Sequence, residues 1–141
     1  MEAIIGKNFP KVVIPLIDSA KSSIKIVVFD WRWYPNDPAN PVQLFNQALV
    51  RAIRRGVDVR VVANANDIIS VLNSLGAKAK KMVTKNLVHA KMMIIDGKIV
   101  IIGSHNYTQS AFTMNFEVSA VYDDVVCAEK FLQFFDSLFN F

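Results

Sequence analysis

The chain has little sulfur and little imidazole: one cysteine, Cys127, and two histidines, His89 and His105, in 141 residues. A single cysteine excludes an intrachain disulfide and a fold that relies on an oxidising compartment. So few His and Cys residues form no ligand cluster for a metal, and no cofactor is expected. Charged residues make up only 20% against 52% hydrophobic, which excludes disordered and low-complexity chains. No apolar run approaches the roughly 18 residues of a spanning helix. The N-terminus has no basic stretch followed by an apolar run and a small-residue cleavage site. The expectation is a cytoplasmic protein without a membrane role, although a mature secreted form with its signal removed fits the same residues. The length is that of one domain, 1–141. A net charge of +4 permits an anionic partner without requiring one.

Apolar spacing at Val12, Val13, Leu16, Ile17 and Ala20 predicts a first helix, with Pro10 near its first turn. Pro15 predicts a kink or a late start. Ile24–Phe29 is a β-branched run with the continuous apolar character of a strand covered on both faces. Asp30 to Pro41, with three prolines, is a loop. A second helix follows from Val42 to Ile53 and stops at Gly56 after Arg54-Arg55. Val57–Ala63 is a strand, Ile68–Leu75 a short helix, and Ala77–Val83 a weak extended segment. Val88–Ile95 and Lys98–Ile102 are strands joined at Asp96-Gly97, a strong hairpin signal. Phe116–Tyr122 is a further strand, and Val125–Phe139 a closing helix. The alternation predicts an α/β fold, a layered α-β-α domain with a mixed β-sheet.

Chemistry concentrates around the hairpin. Alternation along a strand projects His89 and Lys91 from one face. Imidazole and ammonium side by side make poor core but suit a shared anion. The cation also favours neutral imidazole, which keeps a lone pair free. Antiparallel pairing brings Gly103-Ser104-His105-Asn106 back beside them. Gly103 permits close backbone approach, and Ser104 and Asn106 supply uncharged donors. A nucleophile, a cation and neutral donors suit a tetrahedral phosphate.

The spacing His89-x-Lys91-x4-Asp96-x6-Gly103-Ser104-x-Asn106 resembles the HxKx4D motif and trailing GSxN of the phospholipase D superfamily. Asn106-Tyr107-Thr108 and Asn115-Phe116-Glu117 resemble its short, single-motif homodimeric endonucleases. Leu49-x-x-Ala52-x-x-Arg55-Gly56-Val57-x-Val59-Arg60 is similar to the helix-to-strand passage before the motif. The resemblance implies a phospholipase D/nuclease-like fold. It implies that His89 attacks phosphorus to form a phosphohistidine, and that Lys91 and Asn106 hold the phosphoryl oxygens. Ser104 and Gly103 would lie against the substrate, and Glu117 would accept from the far nitrogen of His89. Asp96 and Asn115 are motif positions, and Asp96, at the hairpin turn, is assigned a structural role.

A nucleophilic histidine cannot also protonate the oxygen leaving on the opposite side of phosphorus. Longer members of the superfamily carry two motifs and this chain carries one. A homodimer with the site on its two-fold axis would supply a second His89. The implied activity is a metal-independent phosphodiesterase, an endonuclease on DNA or RNA. The alternatives are a phospholipase such as a cardiolipin hydrolase, and a non-catalytic nucleic-acid-binding module. His105, between Ser104 and Asn106, should point away by alternation. Trp31 to Tyr34 read as a stacking platform for bases, a hydrophobic lid or a dimer contact. Lys78, Lys80, Lys81 and Lys85 read as a solvated edge or a phosphate track. Cys127 reads as a buried small hydrophobe. Asn64 stands where many relatives have an acidic residue.

Overall fold

The computed structural model describes residues 1–140, so the last position of the expected 1–141 domain lies outside it. The described strands are β1 (Glu2–Ile5), β2 (Ser23–Val28), β3 (Asp58–Ala63), β4 (Lys78–Lys81), β5 (Met92–Ile95), β6 (Ile99–Gly103) and β7 (Val118–Asp123). The helices are α1 (Phe9–Asp18), α2 (Pro41–Arg54), α3 (Asn66–Ser74), α4 (Gln109–Thr113) and α5 (Val125–Phe139). One seven-stranded sheet runs in the order β1-β7-β6-β5-β2-β3-β4. β2, β3 and β4 are parallel, linked through α2 and α3, and the remaining pairs are antiparallel. The sheet is mixed, as expected.

Period-two alternation along β2 assigns its two faces. Ile24, Ile26 and Val28 join Val13 and Ile17 of α1 and Phe45, Ala48, Leu49 and Ala52 of α2 in one apolar cluster. Val27 points the other way, with Met92, Ile94 and Val100, onto Ala128 and Phe135 of α5. Helices therefore lie on both faces of the sheet, which explains the near-continuous apolar run in β2.

α1 begins earlier than its spacing suggests and runs through Pro15. An interior proline costs about 3 kcal/mol. Phe9, Val13 and Ile17, one turn apart and buried, each return about 1.5–3 kcal/mol. Packing outweighs the lost hydrogen bond, and the expected late start is not found. β1 was not legible in the sequence. Its only buried side chain is Ile4, and it exists through antiparallel pairing with β7.

The Asp96-Gly97 turn is present, with φ of 56° and 65°. These are the positive values a primed hairpin turn requires, and Lys98 N–H donates to Ile95 O at 3.0 Å. The first hairpin strand is shorter than predicted: β5 starts at Met92, and residues 88–91 are irregular. The physical reason is the loss of partners. β2 ends at Val28, its last pairing with β5 being Val27 to Met92. On the other side only Gly103 N–H reaches Lys91 O, at 3.3 Å.

Candidate active site

The irregular segment before β5 carries His89 and Lys91, so their approach is not the strand alternation expected. They still meet: Lys91 Nζ lies 2.9 Å from His89 Nδ1 and 3.2 Å from Nε2. Phe29, the residue after β2, supports both. Its ring centroid is 5.1 Å from the His89 ring, and Lys91 Nζ stands 5.9 Å above it. Phe29 was legible as a strand residue but not as the floor of a site, because only the fold sets it beneath residues sixty positions later. Burial lowers the Lys91 pKa below the usual lysine value, and the charge of Glu117 opposes that shift.

The end of β6 arrives beside these groups as the hairpin predicts. Ser104 Oγ donates to Glu117 Oε1 at 2.7 Å, and Asn115 Nδ2 donates to Glu117 Oε2 at 3.1 Å. Here the structure differs from the expectation that Glu117 accepts from His89. Both carboxylate oxygens already hold donors from their own neighbourhood, and the polar contact of His89 is Lys91. Asn115 thus gains a definite task, fixing Glu117.

Asn106 Oδ1 accepts from Asp30 N–H at 3.1 Å. Flanking backbone bonds, Tyr107 N–H to Asp30 O and Arg32 N–H to Tyr107 O, lace the two loops together. With Oδ1 engaged, the amide Nδ2 makes no protein hydrogen bond among the described residues, and remains a donor for an anion. Gly103 has a tighter role than backbone access for a ligand. A Cβ there would overlap Ser119 Oγ and Cα and Val118 O. Its lack of a side chain lets β6 lie against β7.

Asp96 sits at the far end of the hairpin. Its Oδ1 accepts from Ser22 N–H at 2.8 Å, from Ser23 N–H at 3.1 Å and from Ser22 Oγ at 3.0 Å. Lys21 N–H reaches both carboxylate oxygens at 3.1 Å. Burial alone would raise its pKa, but the donors of Ser22, Ser23 and Lys21 outweigh it and hold the carboxyl below its ordinary value. Asp96 clamps the α1–β2 connection to the hairpin turn.

His105 is buried and bonds elsewhere than His89. Nε2 lies 2.8 Å from Gly6 O and Nδ1 lies 2.7 Å from Ser119 Oγ. A carbonyl only accepts, so Nε2 carries the proton and Nδ1 accepts from Ser119. The ring packs 4.5 Å from Phe9. Burial lowers its pKa, with the Gly6 carbonyl and Glu117 opposing.

Trp31 is not a platform for bases. It is 1% exposed, with Nε1 donating to Asn46 Oδ1 at 2.6 Å and its ring 5.1 Å from Tyr107. Burying an indole demands a partner for its N–H, which the helix residue Asn46 supplies. Trp33 and Tyr34 are half-buried and line a cleft of about 430 Å³ with Asp30, Arg32, Asn64 and Asp67. A second cleft of about 490 Å³ holds Phe29, Asn64, Lys81, Lys85 and Val88. Asn64 lines both, and its Nδ2 approaches Val88 O at 3.5 Å, one residue before His89. The lysines of β4 occupy the sheet edge, as lysines on an exposed strand do. Cys127 is half-buried rather than buried, on the rim of an apolar groove.

Comparison with known proteins bears on the family and the fold. The family model described as "Cardiolipin synthase, PLD-like domain" matches residues 13–139. Mitochondrial cardiolipin hydrolase of Xenopus laevis is 28% identical over 139 residues, covering 94% of this chain and 61% of that one. A phospholipase D of Rickettsia bellii is 32% identical over 129 residues, covering 87% and 60%. The chain thus spans about three fifths or less of the length of these curated relatives. Among solved structures, the phospholipase D family member Nuc from Salmonella typhimurium superposes with a TM-score of 0.82 at 28% identity, covering 98% of this chain and 93% of that one. NucT from Helicobacter pylori shares the fold, with a TM-score of 0.78 at 22% identity, covering 96% and 92%. A histidine–lysine pair at the head of a hairpin, in a mixed sheet of this topology and with the family model matching nearly end to end, places the chain in the phospholipase D-like family.

Proposed function

We propose that the chain is one phosphodiesterase domain, an endonuclease on DNA or RNA that works without a metal at the two-fold axis of a homodimer. The observation that carries the reading is the Lys91 ammonium 2.9 Å from the His89 ring, beside the Ser104–Glu117 pair and the free amide of Asn106. A phosphodiester entering this spot meets the Lys91 cation, the amide donor of Asn106 and the His89 imidazole. It draws Lys91 off the ring and onto a phosphoryl oxygen. The freed nitrogen of His89 attacks phosphorus. As the P–N bond forms the P–O bond breaks, and the departing oxygen takes a proton from the imidazolium of His89 of the partner subunit. That second imidazole, now neutral, removes a proton from water. The water oxygen attacks phosphorus, the P–N bond breaks, and both histidines return to their starting states. The mechanism needs one histidine neutral and the other protonated, so the rate has a bell-shaped pH dependence. Nuc, similar over nearly the whole chain and named as a phospholipase D family member, supports the reading as a short relative of matching size.

Nicking of a plasmid in EDTA tests it. Cleavage by the wild type and none by His89→Ala is the expected result. No cleavage by the wild type, or full cleavage by the variant, overturns it.

A second reading, phospholipid hydrolysis, draws on the likeness to a cardiolipin hydrolase and on the apolar groove lined by Ala90, between His89 and Lys91. Hydrolysis of cardiolipin liposomes with no cutting of DNA or RNA would favour it.

A further inference from the structure

Two apolar features flank the site with no partner among the described residues. The first is convex. Phe116, next to Glu117, is fully exposed, and Val118 beyond it is 57% exposed. Met114, 75% exposed, extends this apolar surface, and contiguous exposed apolar side chains beside a polar site suit a contact. The second is concave: a groove of about 490 Å³ whose lining is almost wholly apolar, formed by Ala90, Met92, Ile102, Cys127, Phe131 and Phe134 with Lys130 beside them. Phe134 at its rim is 41% exposed.

Sheet order relates the two. Phe116 leads into β7, Ala90 leads into β5, and β6 lies between them. Ile102 of the groove pairs directly with Ala120 of β7 and therefore shares its face. Val118, two residues earlier on β7, is on that face as well. The end of β6, at Gly103-Ser104, separates knob from groove and lies within the candidate site. A two-fold axis passing there would carry the knob of each copy toward the groove of the other, the reciprocal contact an isologous interface requires.

We propose that Phe116 is the anchor of a homodimer, inserting into the groove of a second copy of this chain formed by Ala90, Met92, Ile102, Cys127, Phe131 and Phe134. The inference rests on the two-fold site proposed above, which is incomplete with one His89. The occupant is a second copy because the knob, the groove and the unfinished site adjoin one another on the same surface. The contact also explains how dimerisation sets the chemistry: seating Phe116 fixes Glu117 behind it and Ala90 between His89 and Lys91.

Two measurements test it. Phe116→Asp, a change at a solvent-exposed position, should weaken dimerisation by at least about thirtyfold in sedimentation velocity, the loss typical of an interface hot spot. Phe116→Cys should join Cys127 of the partner subunit when diamide takes up the two thiol hydrogens, giving a disulfide-linked dimer on a non-reducing gel. The same variant with Cys127→Ser should give none. A Phe116→Asp protein that dimerises like the wild type overturns the inference, as does a Phe116→Cys variant that forms no link or closes one within its own chain. In either case the two-fold site survives if the wild type is a dimer. A wild type that is monomeric and fully active removes both. An acyl chain as the occupant would leave the Phe116→Asp dimer intact while Phe134→Asp lost activity on liposomes, and that result also overturns the inference.

Discussion

Lys91 Nζ lies 2.9 Å from His89 Nδ1, and the charge of the Glu117 carboxylate acts on the same ammonium. Burial lowers the pKa of Lys91, and Glu117 raises it part of the way back. The lysine must be charged to hold a phosphoryl oxygen, so activity falls as pH rises through its pKa. Glu117→Gln removes the opposing charge and lowers that pKa further. The expected outcome is an alkaline limb of the pH–rate profile shifted toward lower pH, matched by the titration of Lys91 in selectively carbon-13-labelled protein. A limb that stays put, or moves up, refutes the coupling.

The two histidines should respond oppositely to removal. His89 is exposed, and His89→Ala should cut phosphodiester cleavage at least about a thousandfold while changing stability by no more than about 0.5 kcal/mol. His105 is 1% exposed and joins Gly6 to Ser119. His105→Ala leaves a cavity and strips the buried Ser119 hydroxyl of its acceptor, and should cost about 2–4 kcal/mol in urea unfolding. Its folded pKa is lowered by burial, so the unfolded chain binds the proton more tightly. The stability it contributes is full above the unfolded value of about 6.5 and is lost as pH falls below that toward the folded pKa. A His105→Ala protein of unchanged stability would remove the buried histidine from this account.

Asp96 ties three backbone N–H groups of Lys21, Ser22 and Ser23 to the hairpin turn. Asp96→Asn keeps a residue that tolerates positive φ but removes the charge. It should cost about 1–2 kcal/mol, the low side for charge-assisted bonds because the turn is partly exposed. The folded pKa is depressed, so the contribution is present above the unfolded value of about 3.9 and is lost as pH falls through the folded one. Acid unfolding of the wild type should therefore be steeper below about pH 4 than that of the variant, and parallel curves would contradict the assignment.

Gly103→Ala places a methyl group against Ser119 and Val118 O, where backbone atoms cannot yield. About 1–3 kcal/mol of destabilisation is expected, together with lost cleavage because Ser104 is displaced from Glu117. Circular dichroism melting and the nicking assay read the two effects. A variant as stable and active as the wild type would show that β6 and β7 are not so closely packed.

Local patterns carried much of this molecule. The continuous apolar run of β2 and the Asp96-Gly97 turn depend on neighbours in sequence, and so could be read directly. The same holds for the helical spacing of Phe131, Phe134, Phe135 and Leu138 and for the nearness of His89 to Lys91. β1 depended on a partner over a hundred residues away, which no local pattern encodes. The Trp31 loop read equally as platform, lid or interface, and Asn46 decided it by offering a buried acceptor to the indole. Ser104 and Asn115 determined where Glu117 points, and the ends of β2 and β6 determined where β5 could begin. Hydrogen bonds and packing between distant segments are settled by which groups come within about 3 Å after the chain has collapsed, and that distance exists only in the folded molecule.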